Sequence, residues 1–143
     1  MILNWDFSDL AGQISLNDAS TIPVVDYRSL SIIGYYSGQG DDFISPSLGI
    51  KFSYDGQPGQ YRYISFMPLW DATLRVTFHS SSSSQRTLHI ALLENDGTLT
   101  DVAVGTAGAD NVTVNAELLA GEVYYIWITG GGTGYITALH YEA

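Results

Sequence analysis

The segment from Asp71 to Leu93, DATLRVTFHSSSSSQRTLHIALL, decides how the rest of the chain is read. Along its first arm Leu74, Val76 and Phe78 alternate with Thr73, Arg75, Thr77 and His79, the period of two expected of a strand with one face in a core. The second arm repeats the rule, with Leu88, Ile90 and Leu92 against Thr87, His89 and Ala91. Between the arms, Ser80 to Ser84 offer nothing apolar to bury, so a solvated loop is expected there. Read as a hairpin, the pair lets His79 and His89 face one another. Its Leu/Val/Ile/Phe face then requires a partner surface, a second sheet, because a lone hairpin is marginal in water.

Outward from this segment, short strand-like runs recur about every ten residues. Ile2, Leu3, Trp5 and Phe7 form an apolar opening, expected as an edge strand paired with the end of the domain, and Trp5 is expected in the core. The stretch 8–29 is less regular and rich in turn formers, among them Asp9, Gly12, Asn17, Asp18, Pro23 and Asp26. LSIIG at 30–34 reads as a strand, followed by a polar, Gly-rich loop, YYSGQGDDFISPSLG. GIKFSY at 49–54 and QYRYISF at 60–66 read as strands joined by the turn former DGQPG. In the second of these, Ile64 and Phe66 share one face and Tyr61, Tyr63 and Ser65 the other. LTDVAVGT, NVTVNAEL, EVYYIWIT and YITALHYE complete the set, the last preceded by GGGTG, whose consecutive glycines tolerate positive φ. VNAELLAGE has the composition for a single helical turn ended by Gly121. About nine or ten strands without a helical period predict an all-β fold, an antiparallel β-sandwich of jelly-roll type, and 143 residues suit one domain spanning 1–143.

Composition narrows the partners. The formal charge is −10, and Arg28, Lys51, Arg62, Arg75 and Arg86 are scattered, which argues against nucleic acid and against acidic membrane surfaces. An anionic ligand would require a local basic spot or a bridging cation. The absence of cysteine removes disulfides, thiolate nucleophiles and thiolate metal sites. MILNWDFSD lacks the basic start and apolar core of a signal peptide, the appearance of a soluble piece of a larger exported chain.

Three stretches, RYISF, DATLRVTFHSSSSSQRTLHIAL and LLAGEVYYIWITGGGTGYITALHYE, resemble the non-catalytic β-sandwich modules attached to pectate lyases and related plant-cell-wall enzymes. The resemblance rests on Ser80 to Leu88, on Gly121, Tyr124, Tyr125 and Ile126, and on Gly130 to Tyr141, with WDFSD at 5–9 at the opposite end; Leu10 to Tyr54 is weakly covered. It implies a carbohydrate-binding module for plant cell-wall polysaccharide, either pectic or a neutral β-glucan or hemicellulose. Such a module is monomeric, extracellular and covalently linked to a catalytic domain. Some pectin binders of this kind use lysines on the sheet, whereas Lys51 is the only lysine here.

A sugar ring packs its C–H face on an aromatic ring and needs amide, carboxylate, guanidinium or backbone partners for its hydroxyls. Ten Tyr, three Trp and five Phe supply such rings. If their strands pair in one sheet, Tyr61 and Tyr63 lie on the same side as Arg75. In VYYIWI, one register exposes Tyr125 and Trp127 and the other hides Trp127. Trp70, at a Pro-containing corner, either caps the sandwich or stacks on ligand. Tyr35 and Tyr36, before SGQGDD, form a wall for a sugar chain or anchor a loop. No cofactor is required, although the acidic residues Asp6, Asp9, Asp18, Asp26, Asp41 and Asp42 would suit a structural Ca²⁺. Catalysis is not expected: no G-x-S-x-G elbow is present, and His79, His89 and His140 are separated singles. The alternatives are a structural or adhesive protein-binding sandwich and, behind it, a pectin-active lyase domain.

Overall fold

The computed structural model describes residues 2–6, 24–27, 30–33, 44–45 and 49–143, with side chains for 31–33 and 49–143. Within these residues the chain forms β1 (Ile2–Asp6), β2 (Val24–Tyr27), β3 (Leu30–Ile33), β4 (Ile44–Ser45), β5 (Gly49–Phe52), β6 (Tyr63–Phe66) and β7 (Ala72–Ser80). The C-terminal half adds β8 (Arg86–Leu93), β9 (Leu99–Ala107), β10 (Val112–Leu118), β11 (Tyr124–Thr129) and β12 (Gly134–Glu142). All pairings are antiparallel, in two sheets. Sheet A has the order β10-β7-β12-β5-β4 with β1 also on β12, and sheet B the order β2-β3-β6-β11-β8-β9. The fold is therefore the antiparallel β-sandwich expected. The strands beyond the expected nine or ten include β2 and β4, whose sequences carry turn formers too densely for alternation to show.

Alternation assigned the buried faces correctly. Leu74, Val76 and Phe78 from β7, Leu88 and Ile90 from β8, and Ile126 from β11 are wholly buried in one core. Each strand lends its apolar side to the space between the sheets, the arrangement that removes most apolar surface from water. Tyr141 and Phe66 meet edge to face in this core, ring centroids 5.6 Å apart. Two core tyrosines also satisfy main-chain groups at one end of the sandwich. Tyr124 Oη accepts from Leu119 N–H at 2.8 Å. Tyr141 Oη donates to Trp70 C=O at 2.7 Å and accepts from Trp70 N–H at 3.2 Å.

The hairpin reading is corrected. β7 belongs to sheet A and β8 to sheet B, so the serine loop crosses between layers and the two apolar faces oppose one another. His79 and His89 consequently lie on opposite outer surfaces. Alternation is identical in both arrangements, which is why it does not distinguish them. The loop's first residues are held by other loops: Ser80 N–H donates to Gly108 C=O and Ser81 N–H to Thr133 C=O, at 2.8 and 3.1 Å. Likewise β5 and β6 fall in different sheets despite the Asp-Gly and Pro-Gly signals between them. The helical turn considered within VNAELLAGE is absent. β10 runs to Leu118, and the chain then turns through Gly121 at φ 79°.

The opening strand pairs with the closing one as expected, Ile2 opposite Glu142 through Asp6 opposite Ala138. One edge of β12 is thus shared, β5 covering Gly134–Ile136 and β1 covering Ala138–Glu142. The change of partner coincides with a bulge against β7 between Ile136 and Ala138. Gly49, at φ 97°, lies against this bulge so closely that a Cβ would collide with the Ile136 carbonyl.

Candidate functional site

Sheet B carries an aromatic outer face. Tyr125 on β11 stands opposite Ser65 on β6 and Ala91 on β8, and this row continues to Ser31 on β3 and Asp101 on β9. Tyr63, two residues before Ser65, reaches diagonally to Tyr125, with ring centroids 4.9 Å apart and planes inclined at 59°. Both rings are half-buried, so each keeps a surface open to solvent. Burial, and after it the neighbouring Tyr125 phenol, raises the Tyr63 phenol above its ordinary pKa.

Beside this pair, Trp127 also points outward from β11, because Ile126 and Ile128 point inward. The register that exposes Tyr125 and Trp127 on one side is the one adopted, yet Trp127 is only 9% accessible and is no open platform. The His89 imidazole lies on its indole, centroids 4.8 Å apart and planes within 10°. His89 is oriented by a 2.9 Å hydrogen bond between Nε2 and Thr129 Oγ1, and its Nδ1 is 3.7 Å from the Asp101 carboxylate. Gly56 approaches the indole from the preceding loop, where a Cβ would stand 2.8 Å from Trp127 Cβ. Its N–H donates to Ile128 C=O at 2.8 Å, using the β11 edge beyond the β6 ladder. The same loop is anchored by Asp55, whose Oδ1 accepts from Gly130 and Gly131 N–H at 2.8 and 2.7 Å.

Tyr61 does not continue the strand face that Tyr63 begins. Arg62 adopts φ 55°, a left-handed conformation rare outside glycine, and β6 begins only after it, at Tyr63. The Arg62 guanidinium is buried with the Tyr61 and Tyr54 rings 5.5 and 5.6 Å away. Tyr61 itself pairs with Gln57 across the loop. Arg75 is also separated from the tyrosines, because β7 places it on the outer face of sheet A. The expectation of one face holding Tyr61, Tyr63 and Arg75 is thereby overturned: it required β6 and β7 to share a sheet.

Trp70 projects at one end of the sandwich, 44% exposed, with its main chain held by Tyr141. Met67, Leu69 and Leu119 are exposed at the same end, where Gly121 N–H bonds Pro68 C=O. Tyr35, Tyr36, Asp9, Asp18, Asp41 and Asp42 lie outside the described residues, as do the side chains of Asp6 and Asp26. Among the described residues no three His, Cys, Asp or Glu side chains gather as a metal site, and no helix is long and apolar enough to cross a membrane.

The structure thus brings together Tyr63, Tyr125 and Trp127 from the expected residues and adds His89, Ser65 and Asp101. The outward position of His89 was legible in RTLHIALL; its partnership with Trp127 depended on β8 pairing with β11 and was not.

No protein-family model and no curated protein matches the sequence. In three dimensions the chain is similar to the C-terminal family 6 carbohydrate-binding module of LamC, a marine laminarinase from Zobellia galactanivorans. Identity is 12%, the TM-score 0.38, and all of both chains is covered. It is also similar to a family 43 arabinoxylan arabinofuranohydrolase from Bacillus subtilis in complex with cellotetraose, at 10% identity and TM-score 0.44. That match covers 71% of this chain, which spans 23% of the hydrolase's length. Eiger TNF from S. frugiperda is similar at 9% identity and TM-score 0.43, over 71% of this chain and 88% of the other.

Proposed function

We propose that the chain is a non-catalytic polysaccharide-binding module whose ligand lies across the outer face of sheet B. The observation that carries this reading is the Tyr63–Tyr125 pair. Two half-buried rings stand 4.9 Å apart on a rigid sheet, beside Ser65 and Asp101. The ring faces offer apolar contact to the C–H side of a sugar, and the hydroxyls and carboxylate accept or donate to its equatorial groups. Trp127 and His89, stacked beside the pair on the same face, flank it as a packed support.

The sequence resemblance supports a module of an exported plant-cell-wall-degrading enzyme, joined to a catalytic domain. Its contribution there is concentration: a tethered domain re-encounters its substrate without new chemistry. Pectic chains and neutral β-glucans or hemicelluloses are the ligand classes in view, and binding requires no metal ion.

Affinity electrophoresis and titration calorimetry against pectin, xyloglucan, mixed-linkage glucan and mannan test the proposal. At least one polymer should retard the protein, and Tyr125→Ala should weaken that binding about tenfold or more, the effect of losing ~1.4 kcal/mol or more of contact. Retardation by none of the four would overturn the reading. A protein-binding function is favoured instead by one observation, the exposed Met67, Leu69, Trp70 and Leu119 at the sandwich end. Under that reading Trp70→Ala, rather than Tyr125→Ala, would abolish the interaction.

A further inference from the structure

The loop between β5 and β6 presents an aromatic ring more openly than any strand does. Tyr54 is 54% exposed, the most open aromatic side chain among the described residues, ahead of Trp70 at 44%. The buried Arg62 guanidinium lies over the Tyr54 ring, 5.6 Å from its centroid, and over the Tyr61 ring at 5.5 Å. A guanidinium stacks on an aromatic face through the ring quadrupole, so one cation holds both rings in place. Tyr54 keeps its remaining surface for solvent.

Main-chain bonds fix the loop that carries these rings. Pro58 and Gly59, the latter at φ 83°, take the central positions of a turn closed by Gln60 N–H donating to Gln57 C=O at 2.9 Å. Gln57 and Tyr61 exchange a pair of bonds across it, at 2.9 and 3.0 Å. Gly56 ties the loop to β11 through Ile128 C=O, and Asp55 ties it to Gly130 and Gly131, which brings it onto sheet B. The chain then enters β6 directly: Tyr63, the residue after Arg62, already stands on the outer face of that sheet. Two Cα steps, about 7.6 Å at most, separate Tyr61 from Tyr63. Gln57 and Gln60 are exposed on the same loop.

We infer that Tyr54 and Tyr61 form a second subsite for the same polysaccharide, so that a chain bound across Tyr63 and Tyr125 runs on over the end of the sandwich onto the Tyr54 ring. This rests on the reading that the outer face of sheet B binds polysaccharide. A sugar ring stacks its C–H side on the open surface of Tyr54, and the Gln57 and Gln60 amides donate to and accept from its hydroxyls. Arg62 is a positioning residue: buried beneath the rings, it holds them without meeting the sugar. Because loop and ring are fixed before the ligand arrives, little side-chain freedom is lost on binding. The two subsites act as linked contacts, the second engaged at high effective concentration once the first is filled. The ligand is therefore an extended run of several sugar units, bound more tightly than its short fragments.

Affinity electrophoresis of the intact chain against pectin, xyloglucan, mixed-linkage glucan and mannan finds the polymer that binds, and titration calorimetry then compares the disaccharide and hexasaccharide of that polymer. The parent should hold the hexasaccharide about tenfold or more tighter than the disaccharide. Tyr54→Ala should weaken polymer binding about tenfold, the size of one aromatic anchor, and remove most of the preference for the hexasaccharide. Tyr54→Phe should bind as the parent does, since stacking needs the ring and not the hydroxyl. Tyr54 is exposed, so its replacement leaves the core intact. Undiminished polymer binding by Tyr54→Ala, an equal loss for disaccharide and hexasaccharide, or a Tyr54→Phe as weak as Tyr54→Ala would overturn the inference; if Tyr125→Ala still weakened binding, the sheet B reading would stand. Retardation by none of the four polymers would overturn both.

Discussion

Replacing Tyr141 by Phe isolates one phenolic oxygen at the join between core and loop. The ring is 1% accessible and packs edge to face on Phe66, contacts that Phe preserves. Lost are the bonds from Tyr141 Oη to Trp70 C=O at 2.7 Å and from Trp70 N–H to Tyr141 Oη at 3.2 Å. At about 1 kcal/mol net for each bond the maximum cost is about 2 kcal/mol, and water reaching the freed groups lowers it toward ~1 kcal/mol. For a chain of 143 residues the unfolding entropy is about 0.3 kcal/mol/K, so Tm should fall by about 3–7 °C. Differential scanning calorimetry measures this directly. Tyr124→Phe, which loses only the 2.8 Å bond from Leu119 N–H, should fall by about half as much. An unchanged Tm in Tyr141→Phe would refute the claim that the core tyrosine holds the Trp70 corner. A fall far above 10 °C would show that ring packing, not the hydroxyl, had been disturbed.

Three further outcomes follow from the structure. Asp55→Ala removes two charge-assisted bonds to Gly130 and Gly131 N–H; it should cost about 1–3 kcal/mol in urea unfolding and increase Trp127 quenching by acrylamide as the covering loop loosens. Gly132→Ala directs a methyl group onto the Arg86 guanidinium, which is already fastened to three carbonyls, and should destabilise by about 1–3 kcal/mol in the same assay. Burial lowers the His79 pKa from its ordinary value, so on acidification the unfolded chain takes up this proton first. The stability associated with neutral His79 is complete above about pH 6.5 and declines as pH falls through the lowered value. Thermal midpoints between pH 7.5 and 5 should therefore drop less in His79→Gln than in the parent; identical slopes would contradict the assignment.

The inward and outward sets of the later strands were legible because side chains on a strand alternate whatever its neighbours are. Leu74, Val76, Phe78, Leu88 and Ile90 reached the core as read, as did Ile126 once VYYIWI was placed in its outward-Tyr125 register. The candidate site was legible only by residue. Tyr63 and Tyr125 could be named as outward rings, but that they meet at 4.9 Å follows from β6 pairing with β11 across some sixty residues of chain. Trp127 shows the limit most sharply: its outward direction is a property of the strand, and its burial is a property of Gly56 and His89 arriving from elsewhere.

By itself the sequence determined the all-β class, the residues turned toward the interior, the solvated serine loop and the meeting of the two chain ends. Tertiary structure alone decided which sheet each strand joined, and with it the separation of Arg75 from the tyrosines and the meeting of Trp127 with His89. The reason is that burial acts on each residue locally, through its own apolar surface. Strand partnership is a contest among many alignments with similar local patterns, settled by the packing of the whole core.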